Sequence, residues 1–148
     1  MKRGMTYKVL IADSDVIFMA RLKNVMRQLV SRVVGLPVKI YEARNKQELR
    51  VAFTKKIFLV LIDYLFVLKE HKFLENIFSR NTESRQVLLI SHKGGLKIRD
   101  LIRQIKKHKH LKFDDYILKD NYSLDFILEL IRIFLAPIIN KSARNSDP

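Results

Sequence analysis

Leu59-Val60-Leu61-Ile62-Asp63 is four apolar residues closed by one carboxylate. Buried parallel strands read as unbroken apolar runs, and ligands of open α/β sheets sit beyond the carboxyl ends of those strands. Working outward from this stretch, the pattern repeats. Val9–Ala12 ends in Asp13, Val87–Ile90 ends in Ser91, and Tyr116–Leu118 ends in Lys119. Two carboxylates, a hydroxyl and an ammonium are thereby expected at one rim of one sheet.

Between these runs lie helical signals. Tyr7–Ala12 reads as the first strand. Asp15 can cap a helix on which Phe18, Leu22, Val25, Met26 and Leu29 recur at helical spacing. Gly35 and Pro37 close it and open a second strand, Val38–Ala43. Asn45 with Glu48 three residues later has the form of a capping box, ahead of a short helix with Leu49 and Phe53. Ile57–Ile62 reads as the third strand and Gln86–Ile90 as the fourth, with a helix near Lys69–Arg80 between them. Leu65–Leu68 is more apolar than a plain loop. After a Gly94-Gly95 turn, Leu96, Ile98, Leu101, Ile102 and Ile105 mark a fourth helix. Asp115–Leu118 reads as the fifth strand, and Ser123 caps a last helix, Leu124–Leu135, that stops at Pro137. Five strand–helix units in succession predict an α/β fold, a five-stranded parallel sheet covered by helices on both faces. Right-handed crossovers and one reversal of strand order give the order 2-1-3-4-5, with the first and third strands adjacent and Asp13 facing Asp63 at the switch point. One domain is expected over residues 1–137, with a flexible tail over 138–148.

Composition narrows the class. The chain has 148 residues, 48% of them apolar, enough for one core. With no cysteine, disulfides, thiolate ligands and a cysteine nucleophile are excluded, and a cytoplasmic location fits. No apolar stretch reaches the roughly 20 residues a membrane helix needs, so membrane insertion is not expected. Lys plus Arg is 29 against 15 for Asp plus Glu, a net charge of +14. Such a field draws nucleic acid, an anionic membrane or an acidic protein face, while solubility alone accounts for it as well.

Two carboxylates at one rim repel unless a cation or water shields them. Mg²⁺ does so with one or two carboxylates and several waters. A carboxylate beside it can attack phosphorus and form an acyl phosphate. Phosphoryl transfer then needs little beyond positioning and charge neutralisation. Lys119 would neutralise one phosphoryl oxygen and Ser91 would donate a hydrogen bond to another.

In these residues the chain resembles the receiver domains of two-component response regulators, over about residues 7–135. The matching motifs are Ala12-Asp13-Ser14-Asp15, Leu61-Ile62-Asp63-Tyr64, Leu89-Ile90-Ser91-His92 and Tyr116-Ile117-Leu118-Lys119-Asp120. The last string is most like the receivers of DNA-binding regulators. The resemblance implies a flavodoxin-like receiver fold with Asp63 as phosphoacceptor. It implies Ser91 and Lys119 as catalytic groups, and Ser91 with Tyr116 as the switch pair. It further implies Mg²⁺ held by Asp13, Asp63 and the backbone carbonyl of Leu65. The pattern departs at Ser14, where the family usually has the acid that binds the metal directly; Asp15 is the substitute at hand, or only a helix cap. It departs also at Val67, where proline is common, at the large His92, where a small residue is usual, and in the long basic stretch from Ser91 to Lys119.

Simpler readings stand beside these. Asp13 can serve a helix entry, Ser91 a strand end, Lys119 the surface and Tyr116 the core. Lys106-Lys107-His108-Lys109-His110-Leu111-Lys112 reads as a solvated helix end or as a docking patch for an acidic partner or a phosphate backbone. Its two histidines, without a carboxylate beside them, are not a metal pair.

The expected function is a stand-alone receiver that accepts a phosphoryl group on Asp63 from a histidine kinase or phosphotransfer protein. With no effector domain after the last helix, its output would pass through a protein partner at the face of the fourth helix, fifth strand and last helix. It would be a signalling domain rather than an enzyme, assisting only its own phosphorylation and dephosphorylation. Ser14 and His92 motivate the alternative, a degenerate receiver acting as an interaction module without phosphate. Nucleic-acid binding through the basic face ranks below both, since no stacking platform is recognisable. The acidic Asp13-Ser14-Asp15 loop excludes a flavin phosphate cradle. The absence of Gly-x-Ser-x-Gly and of a Gly-rich phosphate loop excludes an ordinary hydrolase.

Overall fold

The computed structural model describes residues 6–30, 32, 35, 37–81, 83–90, 100, 103–104, 106–107, 111, 113–119 and 128–133. Five strands form one parallel sheet: β1 (Tyr7–Ala12), β2 (Val38–Ala43), β3 (Leu59–Asp63), β4 (Arg85–Ile90) and β5 (Asp115–Leu118). Their order is β2-β1-β3-β4-β5, as the alternation predicts. β1 pairs with β3 in the register Val9↔Leu59 to Ala12↔Ile62, so Asp13 and Asp63 leave the sheet side by side. β4 pairs with β5 through Ile90↔Leu118, and the ladder continues as Lys119 N–H donates to the Ile90 carbonyl at 2.7 Å.

Each strand alternates its side chains between two apolar layers. Leu10, Val60, Ile62, Leu88 and Ile90 point to one face. That face is covered by α2 (Lys46–Ala52), α3 (Tyr64–Lys69) and α4 (His71–Arg80) through Leu49, Phe66, Val67, Leu74 and Phe78. Val9, Ile11, Leu59, Leu61, Val87, Leu89 and Ile117 point to the other. There they meet Phe18, Met19 and Leu22 of α1 (Val16–Val25), Met26 of the π-helical turn that continues it, and Leu130 and Ile133 of the helical residues 128–133. β3 is buried on both sides along its whole length, which is why its sequence carries no polar residue before Asp63.

Three elements depart from the sequence expectation. The third strand starts at Leu59 rather than Ile57, because a 3₁₀ turn over Phe53–Lys55 ends in the left-handed Lys56 (φ 56°). The fourth starts at Arg85, one residue early. The helix expected near Lys69–Arg80 is two helices. α3 begins at Tyr64, directly behind Asp63, and the backbone breaks at Glu70 (φ −120°, ψ 29°) before α4. Leu65–Leu68 is therefore helix, and its apolar character has a use: Phe66 and Val67 are buried in the core. Asp15 and Asn45 cap α1 and α2 as expected, accepting from Phe18 N at 3.0 Å and Glu48 N at 2.9 Å.

The Gly94-Gly95 turn and the Ser123 cap lie outside the described residues, as does most of the fourth helix, although Asp100, Arg103, Gln104 and Lys106 are helical. Leu111, inside the lysine-rich run, is buried with the α2–α4 layer. Among the described residues, no helix is long and apolar enough to cross a membrane.

Candidate functional site

At the carboxyl rim of the sheet, the end of β1 delivers Asp13, the end of β3 delivers Asp63, and the residue after β5 is Lys119. Both carboxylates are nearly sealed from water, 1% and 3% exposed. The Lys119 ammonium lies between them, 2.8 Å from Asp13 Oδ2 and 2.9 Å from Asp63 Oδ1. The outer oxygens go to the backbone. Asp13 Oδ1 accepts from Asp15 N–H at 2.9 Å, and Asp63 Oδ2 accepts from Leu65 N–H at 3.0 Å. Each acid thus ends a strand, shapes the turn into the next helix and shares one cation. Asp13 Oδ2 has the ammonium as its ion-pair partner and no directed hydrogen bond.

Burial raises the Asp13 carboxyl above the ordinary carboxylate value, with repulsion from Asp63 adding to it; the Lys119 ammonium and the Asp15 N–H oppose the shift without cancelling it. For Lys119, burial disfavours the charge, but its pairing with Asp13 and Asp63 outweighs it and holds the ammonium above the ordinary lysine value. The sign of the Asp13 shift sets a pH dependence. A folded carboxyl that binds its proton more tightly than the unfolded chain contributes its full stability below the unfolded value of 3.8, and loses it as pH rises through the raised folded value. The stability of the wild type relative to Asp13→Asn is accordingly expected to fall as pH rises from 3.8 toward neutrality. Urea unfolding of the two proteins side by side checks this, and a wild type that gains stability relative to the variant as pH rises contradicts it.

Of the residues singled out in the sequence, the structure brings together Asp13, Asp63 and Lys119, with Leu65 held to Asp63 through its N–H. Asp15 is not drawn to the pair: its Oδ1 caps α1. Among the described residues, no three His, Asp or Glu side chains gather in a cluster fit for a metal. Ser91 and His92 lie outside the described residues; β4 ends immediately before them. Tyr116 is 48% exposed on the outermost strand, so its reading as ordinary core is overturned: edge strand β5 leaves that position uncovered. Two contacts were not legible beforehand. The Phe18 ring lies over the Lys119 ammonium at 4.5 Å from its centroid, and the Tyr64 hydroxyl donates to Gln104 Oε1 at 2.8 Å.

No protein-family model and no curated protein matches the chain in sequence. Solved structures match its shape. A response regulator from Thermotoga maritima superposes with a TM-score of 0.65 at 22% identity, over 89% of this chain and 99% of that one. The REC domain of AraT, a response regulator from Geobacillus stearothermophilus, gives 0.64 at 17% identity, over 97% and 100%. A complex of the P1 domain of CheA3 with CheY6 from R. sphaeroides gives 0.63 at 18% identity, over 90% and 97%. The chain has the fold of a response-regulator receiver domain. The receiver fold accounts for the strand order, for both helical layers and for the rim at which the acids and the lysine meet.

Proposed function

We propose that the chain is a phosphoacceptor receiver, taking a phosphoryl group onto Asp63. The observation that carries this reading is the ammonium of Lys119 bridging Asp13 and Asp63 at the carboxyl rim. Three groups distant in sequence meet there, in the places where a phosphoryl group would need a nucleophile and positive charge. In the reaction an Asp63 carboxylate oxygen bonds to phosphorus as the bond from phosphorus to the donor's imidazole nitrogen or acyl oxygen breaks, and the electron pair leaves with the donor. Lys119 follows the charge from the carboxylate to a phosphoryl oxygen, and Ser91 donates to another. Hard oxygen donors on Asp13 and Asp63, one of them without a directed hydrogen bond, suit Mg²⁺. In this reading they would hold the ion together with the Leu65 carbonyl, and when bound it would add to the neutralisation of the phosphoryl oxygens. The domain unit is residues 1–137.

The test is intact mass after incubation with Mg²⁺ and acetyl phosphate. One added phosphoryl group is expected on the wild type and none on Asp63→Asn. No gain on the wild type, or an undiminished gain on the variant, overturns the proposal.

The partners in this reading are a histidine kinase or phosphotransfer protein upstream, and downstream a protein at the face that carries exposed Tyr116. Val16 and Ile17, at the start of α1, are 54% and 68% exposed, and Leu65, at the start of α3, is 64% exposed. Both helices begin at the rim, so these apolar groups surround the approach to Asp63 and suit a protein donor. Ile17→Glu is expected to slow transfer from a protein donor about tenfold, the worth of a lost apolar contact plus a desolvated charge. Transfer from acetyl phosphate should be unchanged. Equal slowing with both donors would place Ile17 outside the docking surface.

One observation favours a second reading, a receiver that works without phosphate. Asp15 is committed to its helix cap and Ser14 carries no charge, which leaves the metal with fewer acids than the family pattern has. Mg²⁺ binding to the wild type no tighter than to Asp63→Ala would select this reading over the first.

A further inference from the structure

Four of the rim contacts close into a loop that passes through a residue of the apolar helix face. Asp15 N–H donates to Asp13 Oδ1 at 2.9 Å, and Asp15 Oδ1 in turn accepts from Phe18 N–H at 3.0 Å. The Phe18 ring then lies over the Lys119 ammonium at 4.5 Å, well inside the roughly 6 Å range of a cation–π contact. Lys119 returns to Asp13 at 2.8 Å and reaches Asp63 at 2.9 Å. The ammonium is therefore approached by two carboxylates and one aromatic face, and its side chain is only 10% exposed. A lysine head on four flexible carbons ordinarily samples many positions. Here a ring replaces water on one side of it, and that ring is fixed by the turn that also fixes Asp13.

We propose that Phe18 is a positioning residue for Lys119, that its ring face seats the ammonium against Asp13 and Asp63, and that Asp15 acts through Phe18 as the cap that places the ring rather than as a ligand. The consequence for phosphoryl transfer rests on the phosphoacceptor reading above; the placement of the lysine does not. A leucine at this position keeps an apolar wall and loses the negative ring face. Tyrosine keeps the face. Pentafluorophenylalanine keeps the shape of the ring and so the packing of α1, but reverses its charge distribution.

The measurement is competitive acetylation of the whole chain with acetic anhydride, reading Lys119 against exposed Lys46 by peptide mass spectrometry. Lys119 is expected to react about fivefold faster in Phe18→Leu and in the pentafluorophenylalanine protein than in wild type, and at the wild-type rate in Phe18→Tyr. Asp15→Ala should match Phe18→Leu, whereas Asp15→Asn, which retains the acceptor oxygen, should match wild type. With acetyl phosphate as donor, the maximal rate of phosphoryl transfer should fall about fivefold in Phe18→Leu at unchanged KM and return in Phe18→Tyr. Wild-type labelling of Lys119 in both Phe18→Leu and the fluorinated protein overturns the role of the ring. Faster labelling in Asp15→Asn overturns the role given to Asp15. A wild type that accepts no phosphoryl group defeats the proposed function alone, because the labelling comparison still decides where the lysine is held.

Discussion

Lys119→Met is expected to lower the stability of the protein by about 3 kcal/mol, the usual loss when one partner of a buried ion pair is removed. Among the described residues Lys119 is the cation that pairs with Asp13 and with Asp63, and both acids are nearly sealed from water. Methionine fits the apolar part of the lysine stem but leaves two carboxylates facing each other. Protonating one of them relieves the repulsion, so the loss should shrink as pH falls. It should shrink also when Asp13→Asn is added to the same chain, since that change removes one of the two charges. Urea unfolding reads the effect as a shift in midpoint at constant slope. A loss under about 0.5 kcal/mol would mean that water, not the ammonium, compensates the two acids.

The second large effect is on metal affinity. Asp13, Asp63 and Lys119 sum to one negative charge, too little for tight capture of a divalent cation. Ser14 is exposed between Asp13 and the cap residue Asp15, at the position where the family pattern has its second acid. Ser14→Asp is expected to tighten Mg²⁺ binding about tenfold, the effect of one more carboxylate beside the ion at the edge of solvent. The titration can be followed by tyrosine fluorescence, because Tyr64 directly follows Asp63. Unchanged affinity would mean either that Asp15 leaves its cap to supply the missing oxygen or that the rim holds no metal. Asp15→Asn separates those two cases: it weakens binding only in the first.

The sheet was readable because burial on both faces leaves a strand such as Leu59–Ile62 no place for a polar side chain, and the first polar residue then marks the rim. The same logic located Asp13 and Lys119, and strand adjacency brought them together. Asp15 and Asn45 were readable as caps because a side-chain acceptor before an amphipathic run has one common use. The start of α3 was hidden because Asp63 ends a strand and caps a helix at once, leaving no loop residue between them. Leu111 was hidden among lysines, where a single buried leucine produces no periodicity. Phe18 was visible only as one member of the stripe with Leu22 and Met26. Its spacing placed it on the core side of α1, and nothing local could say that the ring would meet a lysine 101 positions further along, at the end of a strand on the same face. Tyr116 needed the sheet order, because only the position of β5 at the edge leaves that ring exposed.

The most direct measurement is chemical location of the phosphoryl group. The chain is treated with Mg²⁺ and acetyl phosphate, reduced with borohydride, which converts an aspartyl phosphate to homoserine, and mapped by peptide mass spectrometry. Homoserine at position 63, absent when the phosphodonor is omitted, is the result expected. Homoserine at Asp13 or another acid, or an unmodified Asp63 in protein that has gained phosphate, would contradict it.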